Sequence, residues 1–374
     1  MLISISAFLL QERSLGSDQS NPARVVTIPV TVVDRNEHYV TALNAVSFSL
    51  SEGGHNRPVE SVEEIGPLLV GRNKVKVPFV VVDAVGSPDQ SEARKQCLQL
   101  LANSAANGLP VSVSEIDRDG LHEIHSVATS NSVLASALLQ LDSESRFLDH
   151  REQLQAILNT SEDKALVAAE TERLRGFRHG SDERAKRIDI ILTQLRAFQN
   201  LAAALQRAHG RKTVLWVTDY FPVEVNESED SLNIQVFPEG SGEVHGIRSA
   251  FPVKSISVDY QRTIDLLNGA QVSIFPVYAN LGATSDLPGP PNSDYTRIGL
   301  RRFARCTGGE LITASDNLQS IVQRAEDQSI SYYLLKFQPE PIKGDLKWKG
   351  LKIELQDKSL KAKSPDGLFL FNSK

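Results

Sequence analysis

The residues that could do chemistry sit where an apolar run stops. Phe79-Val80-Val81-Val82 leads straight into Asp83, and Ser87 follows four positions later with Pro88 behind it. A carboxylate and a hydroxyl at that spacing are hard oxygen donors, the kind Mg²⁺ takes. Asp219 closes the run Thr213-Val214-Leu215-Trp216-Val217-Thr218 in the same way, and Thr129 and Ser130 follow His122–Ala128. The same residue types have a plainer use. Asp bonds loop amides, and Ser87-Pro88 reads as an N-cap followed by proline at the first helical position.

Other spacings argue against particular chemistries. GRKT at 210–213 lacks the upstream Gly of a phosphate-binding loop, and AVGSPD after VVVD has a single Gly, too few for a dinucleotide fingerprint. There is no Gly-x-Ser-x-Gly elbow, and no Cys–His spacing suggests a thiol nucleophile. Asp117 and Asp119 open a calcium-loop pattern that lacks its later acidic residues, so a hairpin turn is expected there. His122 and His125 in a strand would face opposite sides, which disfavours a shared zinc. The sequence points away from an enzyme. A hydrolase whose catalytic residues converge from distant loops stands as an alternative.

The chain has 374 residues, 40 basic and 46 acidic, for a formal net charge of −6. That balance disfavours nucleic acid and anionic membrane as partners. With 41% hydrophobic residues there is enough apolar material for ordinary cores. No apolar run reaches the ~18 residues of a membrane span. Two cysteines, Cys97 and Cys306, make no disulfide framework. Two buried free thiols are expected, with a single bridge left open. Residues 1–23 read as a leader or signal remnant plus a polar linker.

Two patterns organise the rest. Residues 24–70 alternate apolar and polar, as half-buried antiparallel strands do, with a second strand expected at Tyr39-Val40. From 75 to 328, apolar strands alternate with amphipathic helices, which predicts an α/β domain with a mostly parallel sheet covered on both faces. Helices are expected at 91–106, 130–141, 260–270, 296–309 and 317–327, and a short strand at 310–314. The pattern has two insertions. Residues 143–208 are charged and helical, with Ile188, Ile191, Leu192, Leu195, Phe198, Leu201 and Leu205 at helical spacing. Residues 223–255 are polar, and their acidic start reads as a solvated loop. After 328 the chain is strand-like again. Segments 24–70 and 329–374 are each too small for a core, so they are expected to pair as one β-sandwich with the α/β domain inserted between them.

Several stretches carry a family likeness: VVTIPVTVVDRNEHYVTAL, VPFVVVDAVGS, GRKTVLWVTDYFP, QVSIFPVYA, FARCTGGEL and SISYYLLKFQP, in that order. Over residues 24 to 372 the chain resembles the von Willebrand factor A-related proteins of the Acidobacteria type. The resemblance implies a von Willebrand A-like sheet in an exported protein, periplasmic, secreted or in the cell envelope. It also implies a metal-dependent adhesion site built from an Asp-x-Ser-x-Ser loop, a Thr and a second Asp. On this chain those positions fall on Asp83, Ser87, Thr129 and Asp219, while Val85 replaces the middle Ser. The site is therefore degenerate, with at most weak Mg²⁺ or Mn²⁺ binding. Ser130 and Tyr220 are placed to touch a partner. The expected function is non-catalytic protein binding, in adhesion or assembly. A scaffold that uses the helical insertion and no metal is a further alternative.

Overall fold

A computed structural model describes residues 25–66, 79–83, 85, 112–117, 119–125, 180–208, 210–218, 220–221, 223–228, 231–236, 251–252, 254–278, 293–313, 331–340 and 347–370. The first part of the chain forms β1 (Val26–Val33), β2 (Phe48–Glu52), β3 (His55–Arg57) and β4 (Ser61–Ile65). There follow β5 (Phe79–Asp83), β6 (Ser112–Asp117), β7 (Gly120–His125) and helix α1 (Gly180–Leu205). Next come β8 (Lys212–Thr218), β9 (Val223–Ser228), β10 (Ser231–Val236), β11 (Phe251–Pro252), α2 (Lys254–Gly269), β12 (Val272–Tyr278) and α3 (Ser293–Cys306). The last strands are β13 (Tyr332–Phe337), β14 (Lys347–Leu355), β15 (Lys361–Lys363) and β16 (Gly367–Leu370).

The two ends of the chain pair with each other. Two four-stranded sheets, β15-β1-β13-β4 and β16-β14-β2-β3, each take strands from both ends. Their pairings are antiparallel, Ile28 lying opposite Leu335 and Leu50 opposite Ile353. Alternation sends Ile28, Val30, Val32, Phe48, Leu50, Leu335, Phe337 and Leu351 into one shared core. The expected strand at Tyr39-Val40 is only a single bridge between Val33 and Tyr39. Asp34 accounts for this: its carboxylate accepts the N–H groups of Asn36 and His38, so a tight turn takes up the residues a ladder would need.

Between these ends lies a five-stranded sheet of order β12-β8-β5-β6-β7. The β12–β8, β8–β5 and β5–β6 pairs are parallel, and β6–β7 is an antiparallel hairpin. The hairpin turns on Asp117, whose carboxylate accepts the N–H groups of Asp119 and Gly120. Val81, Val214 and Trp216 point to one face and Val80, Val82, Leu215 and Val217 to the other, and all are buried, so both faces are covered. The three described helices lie on the Trp216 face. Phe198 of α1 meets Trp216 edge-on with centroids 4.8 Å apart, and Phe303 of α3 meets it at 5.7 Å. Tyr260 of α2 packs on Phe303 at 5.5 Å. Such edge-to-face pairs add about 0.5–1.5 kcal/mol each beyond their buried area.

The apolar stripe of α1 is part of this core. Ile191, Leu195, Phe198, Leu201 and Leu205 are buried, and Ile188 and Leu192 pack beside them. The helix spans about 39 Å at 1.5 Å per residue and packs on α2, β6 and β7. The expected loop over 223–255 is in part a sheet: β9 and β10 form a hairpin, and β11 adds to it. Beneath the charged residues of this segment runs a period-two pattern, Val223, Val225, Leu232, Ile234 and Val236, and Val223 and Ile234 are buried. The expected strand at 310–314 is reduced to one parallel bridge from Ile312 to Val277. The expected helices at 91–106, 130–141 and 317–327, the leader and Cys97 lie outside the described residues. Cys306 is buried in the core. Among the described residues no helix is long and apolar enough to cross a membrane.

Gly210-Arg211-Lys212, read in the sequence only as a failed phosphate-loop match and part of the family likeness, joins sandwich and sheet. The Arg211 guanidinium is 2% exposed. Its Nε donates to Ser273 Oγ of β12 at 2.9 Å, one terminal nitrogen to Thr31 Oγ1 of β1 at 2.7 Å, and the other to the Gly308 carbonyl at 2.8 Å. Its backbone N–H reaches the Tyr332 hydroxyl at 3.1 Å. Burial pulls the guanidinium down to about 10, which leaves it charged at neutral pH. Beside it, Arg302 and Arg305 of α3 pair with Asp366 at 3.1 and 2.9 Å, tying the helix to the turn between β15 and β16. Trp348 and Phe369 of the sandwich reach into the core of the sheet domain. Gly367 allows this, because a side chain there would collide with the Trp348 indole. Arg211→Ala should lower stability by about 3 kcal/mol, by loss of charge-assisted hydrogen bonds and stranding of their partners, read as a shifted urea midpoint. Gly367→Ala should cost about 1–3 kcal/mol in the same assay.

Candidate functional site

The pleat decides which side chains meet at the carboxyl ends of the strands. Val81 of β5 lies opposite Trp216 of β8, so two residues further on Asp83 and Thr218 face the same side, toward α1. Chain direction makes this place special. After β5 the chain steps to β6 on one side, and after β8 it steps to β12 on the other. The β5–β8 boundary is therefore the switch point of the sheet, and open α/β sheets bind ligands outside the strand ends at such points.

Asp83 is 2% exposed and tightly held. Its Oδ1 accepts the Val85 N–H at 3.0 Å. Its Oδ2 accepts Gln194 Nε2 at 2.6 Å and the Thr218 hydroxyl at 2.8 Å. Gln194 reaches down from α1 and also donates to the Tyr220 carbonyl at 2.9 Å. With its proton committed to Asp83, Thr218 Oγ1 accepts the Tyr220 N–H at 3.3 Å. Hydrogen bonds to an ionised group are short and strong, and these three neutral donors offset the desolvation of the carboxylate.

Asp83 and Tyr220 thus come together at the switch point, Tyr220 through its backbone. Ser87, Thr129, Ser130 and Asp219 lie outside the described residues. Val85, at the substituted hydroxyl position, is 6% exposed and belongs to the apolar core. The residue that touches Asp83 from β8 is Thr218, one before the expected Asp219. Sequence reasoning missed both Thr218 and Gln194 as partners of this carboxylate. The available signal was a polar residue, Gln194, three positions after Ile191 and four before Phe198, inside an otherwise apolar stripe. His122 has an ordinary partner, its Nε2 lying 2.9 Å from Asp117.

The described residues do not fit an ion as they stand. Mg²⁺ wants oxygen ligands at about 2.0–2.1 Å, whereas the space between Asp83 Oδ2 and the Tyr220 carbonyl holds an amide nitrogen. Among the described residues no three His, Cys, Asp or Glu side chains gather as a metal-holding group. Two cavities lined by described residues lie against the sandwich. One of about 270 Å³ sits between β1, β16 and the end of α2, and one of about 400 Å³ beside the end of α3. Comparison with known proteins gives no match to any family model and none to a curated protein.

Thr218→Val keeps the shape and removes one hydrogen bond to a charged acceptor, so it should cost about 1.5–3 kcal/mol in chemical denaturation. Combined with Asp83→Ala it should cost clearly less than the sum of the two single changes, because both remove the same bond.

Proposed function

We propose that the chain is a non-catalytic protein-binding module of the von Willebrand A-related kind, which recognises its partner at the carboxyl-end face of the five-stranded sheet. The observation that carries this reading is the Asp83–Gln194–Thr218 lock at the switch point, where doubly wound sheets present their ligand-binding loops. A carboxylate 2% exposed and bonded to three structural donors is an anchor for the loops around it rather than an acid or base that meets a substrate. A mostly parallel sheet is compatible with the family likeness, and the exported setting rests on that likeness alone. A scaffold that binds through the α1 stripe is less well supported, since the stripe is core.

The test is capture of binding proteins by the immobilised full chain, comparing Tyr220→Ala on the proposed face with Val46→Ser on the exposed surface of the sandwich. Binding should weaken at least ~10-fold for Tyr220→Ala, since buried aromatic anchors dominate interfaces, and stay unchanged for Val46→Ser. Equal binding by both variants would overturn the reading. So would turnover on an ester, peptide and phosphate panel that disappears with the Tyr220 change.

A further inference from the structure

Gln194 is fully buried and sits in phase with the apolar stripe of α1, where a polar side chain is costly unless it is bonded. Its Nε2 is bonded twice, at 2.6 Å to the Asp83 carboxylate and at 2.9 Å to the Tyr220 carbonyl. Its Oε1 is buried without a hydrogen-bond partner. The orientation of the amide follows from these neighbours. Turned over, it would press Oε1 against the carboxylate and carbonyl oxygens, with the Thr218 hydroxyl oxygen 2.8 Å from the same carboxylate atom. A cluster of oxygens of that kind is tolerable around a cation and repulsive without one.

We propose that the Gln194 amide is a built-in substitute for a cation: it occupies the seat of a divalent ion between Asp83 Oδ2 and the Tyr220 carbonyl and keeps the face ion-independent. A cation would draw these oxygens together by charge, and the amide does so with two N–H donors. The substitute does not dissociate, because Gln194 is carried between Leu195 and Ile191 on a helix face packed in the core. It also offers no open coordination position, so a partner's carboxylate cannot complete a metal site here. The inference rests on the reading of this face given above, and it specifies how the face is held.

The experiment uses the full chain and Mn²⁺ alone as the probe, with no binding partner, so its outcome does not depend on whether the face binds protein. Wild type, Gln194→Glu, Gln194→Ala, Asp83→Ala and the Asp83→Ala/Gln194→Glu double variant are titrated calorimetrically, and each is melted in chelator and in millimolar Mn²⁺. Wild type should melt at the same temperature in both and show no binding that depends on Asp83. Gln194→Glu places a second carboxylate at the seat, so it should gain saturable Mn²⁺ binding at least ~10-fold tighter than wild type, since affinity follows ligand charge. It should also melt higher in Mn²⁺ than in chelator, and both effects should vanish in the double variant. Mn²⁺ binding by wild type that is lost in Asp83→Ala would overturn the proposal, as would a folded Gln194→Glu that ignores Mn²⁺. If Gln194→Glu folds only with Mn²⁺ present, the proposal is supported. If it folds under neither condition, Gln194→Ala decides: Asp83-dependent Mn²⁺ binding supports the substitute, and none overturns it.

Discussion

A single buried guanidinium sets the geometry of this protein. A charge inside a fold is tolerated only where its donors find acceptors, and Arg211 finds them on three separate parts of the chain. Thr31 belongs to the first strand of the sandwich, Ser273 to the last described strand of the parallel sheet, and Gly308 to the end of α3. The bond to Thr31 is possible only if the sandwich is seated against the amino end of the sheet, and the other two fix the guanidinium to β12 and the end of α3. The residues around it agree with that demand. Lys212 donates its ammonium to the Ala270 carbonyl at the end of α2, and Gly309 lets the chain pass against Ile274, where any side chain would collide with the carbonyl.

The two ends of the sheet therefore differ in kind. The amino end is fixed to the sandwich by Arg211, by Asp366 with its two arginines, and by Trp348 and Phe369 packed into the sheet domain's core. The carboxyl end carries a different polar arrangement, the Asp83 lock, whose described partners come from the sheet domain itself. A scaffold anchored at one end and presenting loops at the other is the common arrangement for recognition by α/β folds. In the proposed reading the lock replaces what an ion would do, holding two strand ends and a helix in one arrangement through hydrogen bonds between neutral donors and one carboxylate.

Local pattern carried much of the fold. Strands β1, β8, β12 and β13 and the stripe of α1 follow from periodicity, because a period of two or 3.6 is imposed by the backbone before any tertiary contact forms. The hairpin β9–β10 was hidden by its own charges. Its apolar positions alternate, but Glu224, Glu227, Glu229 and Asp230 give the segment the composition of a loop. At Tyr39 the opposite happened: a strand-like dipeptide lost its ladder to the turn around Asp34.

Sequence alone determined that Asp83 ends a buried strand beside a position, Val85, that has no oxygen to offer, because strand ends and residue types are local properties. Only the tertiary structure decided that Thr218 of β8 is bonded to that carboxylate, since this depends on the register of β5 against β8. It also decided that Gln194, 111 residues away, completes the lock. No local rule links a glutamine in a helical stripe to a distant aspartate, for the contact exists only once α1 has packed on the Trp216 face. The same holds for Arg211. In the sequence it is one basic residue before a strand, and its role arises from burial among the oxygens of Thr31, Ser273 and Gly308, which lie far apart along the chain.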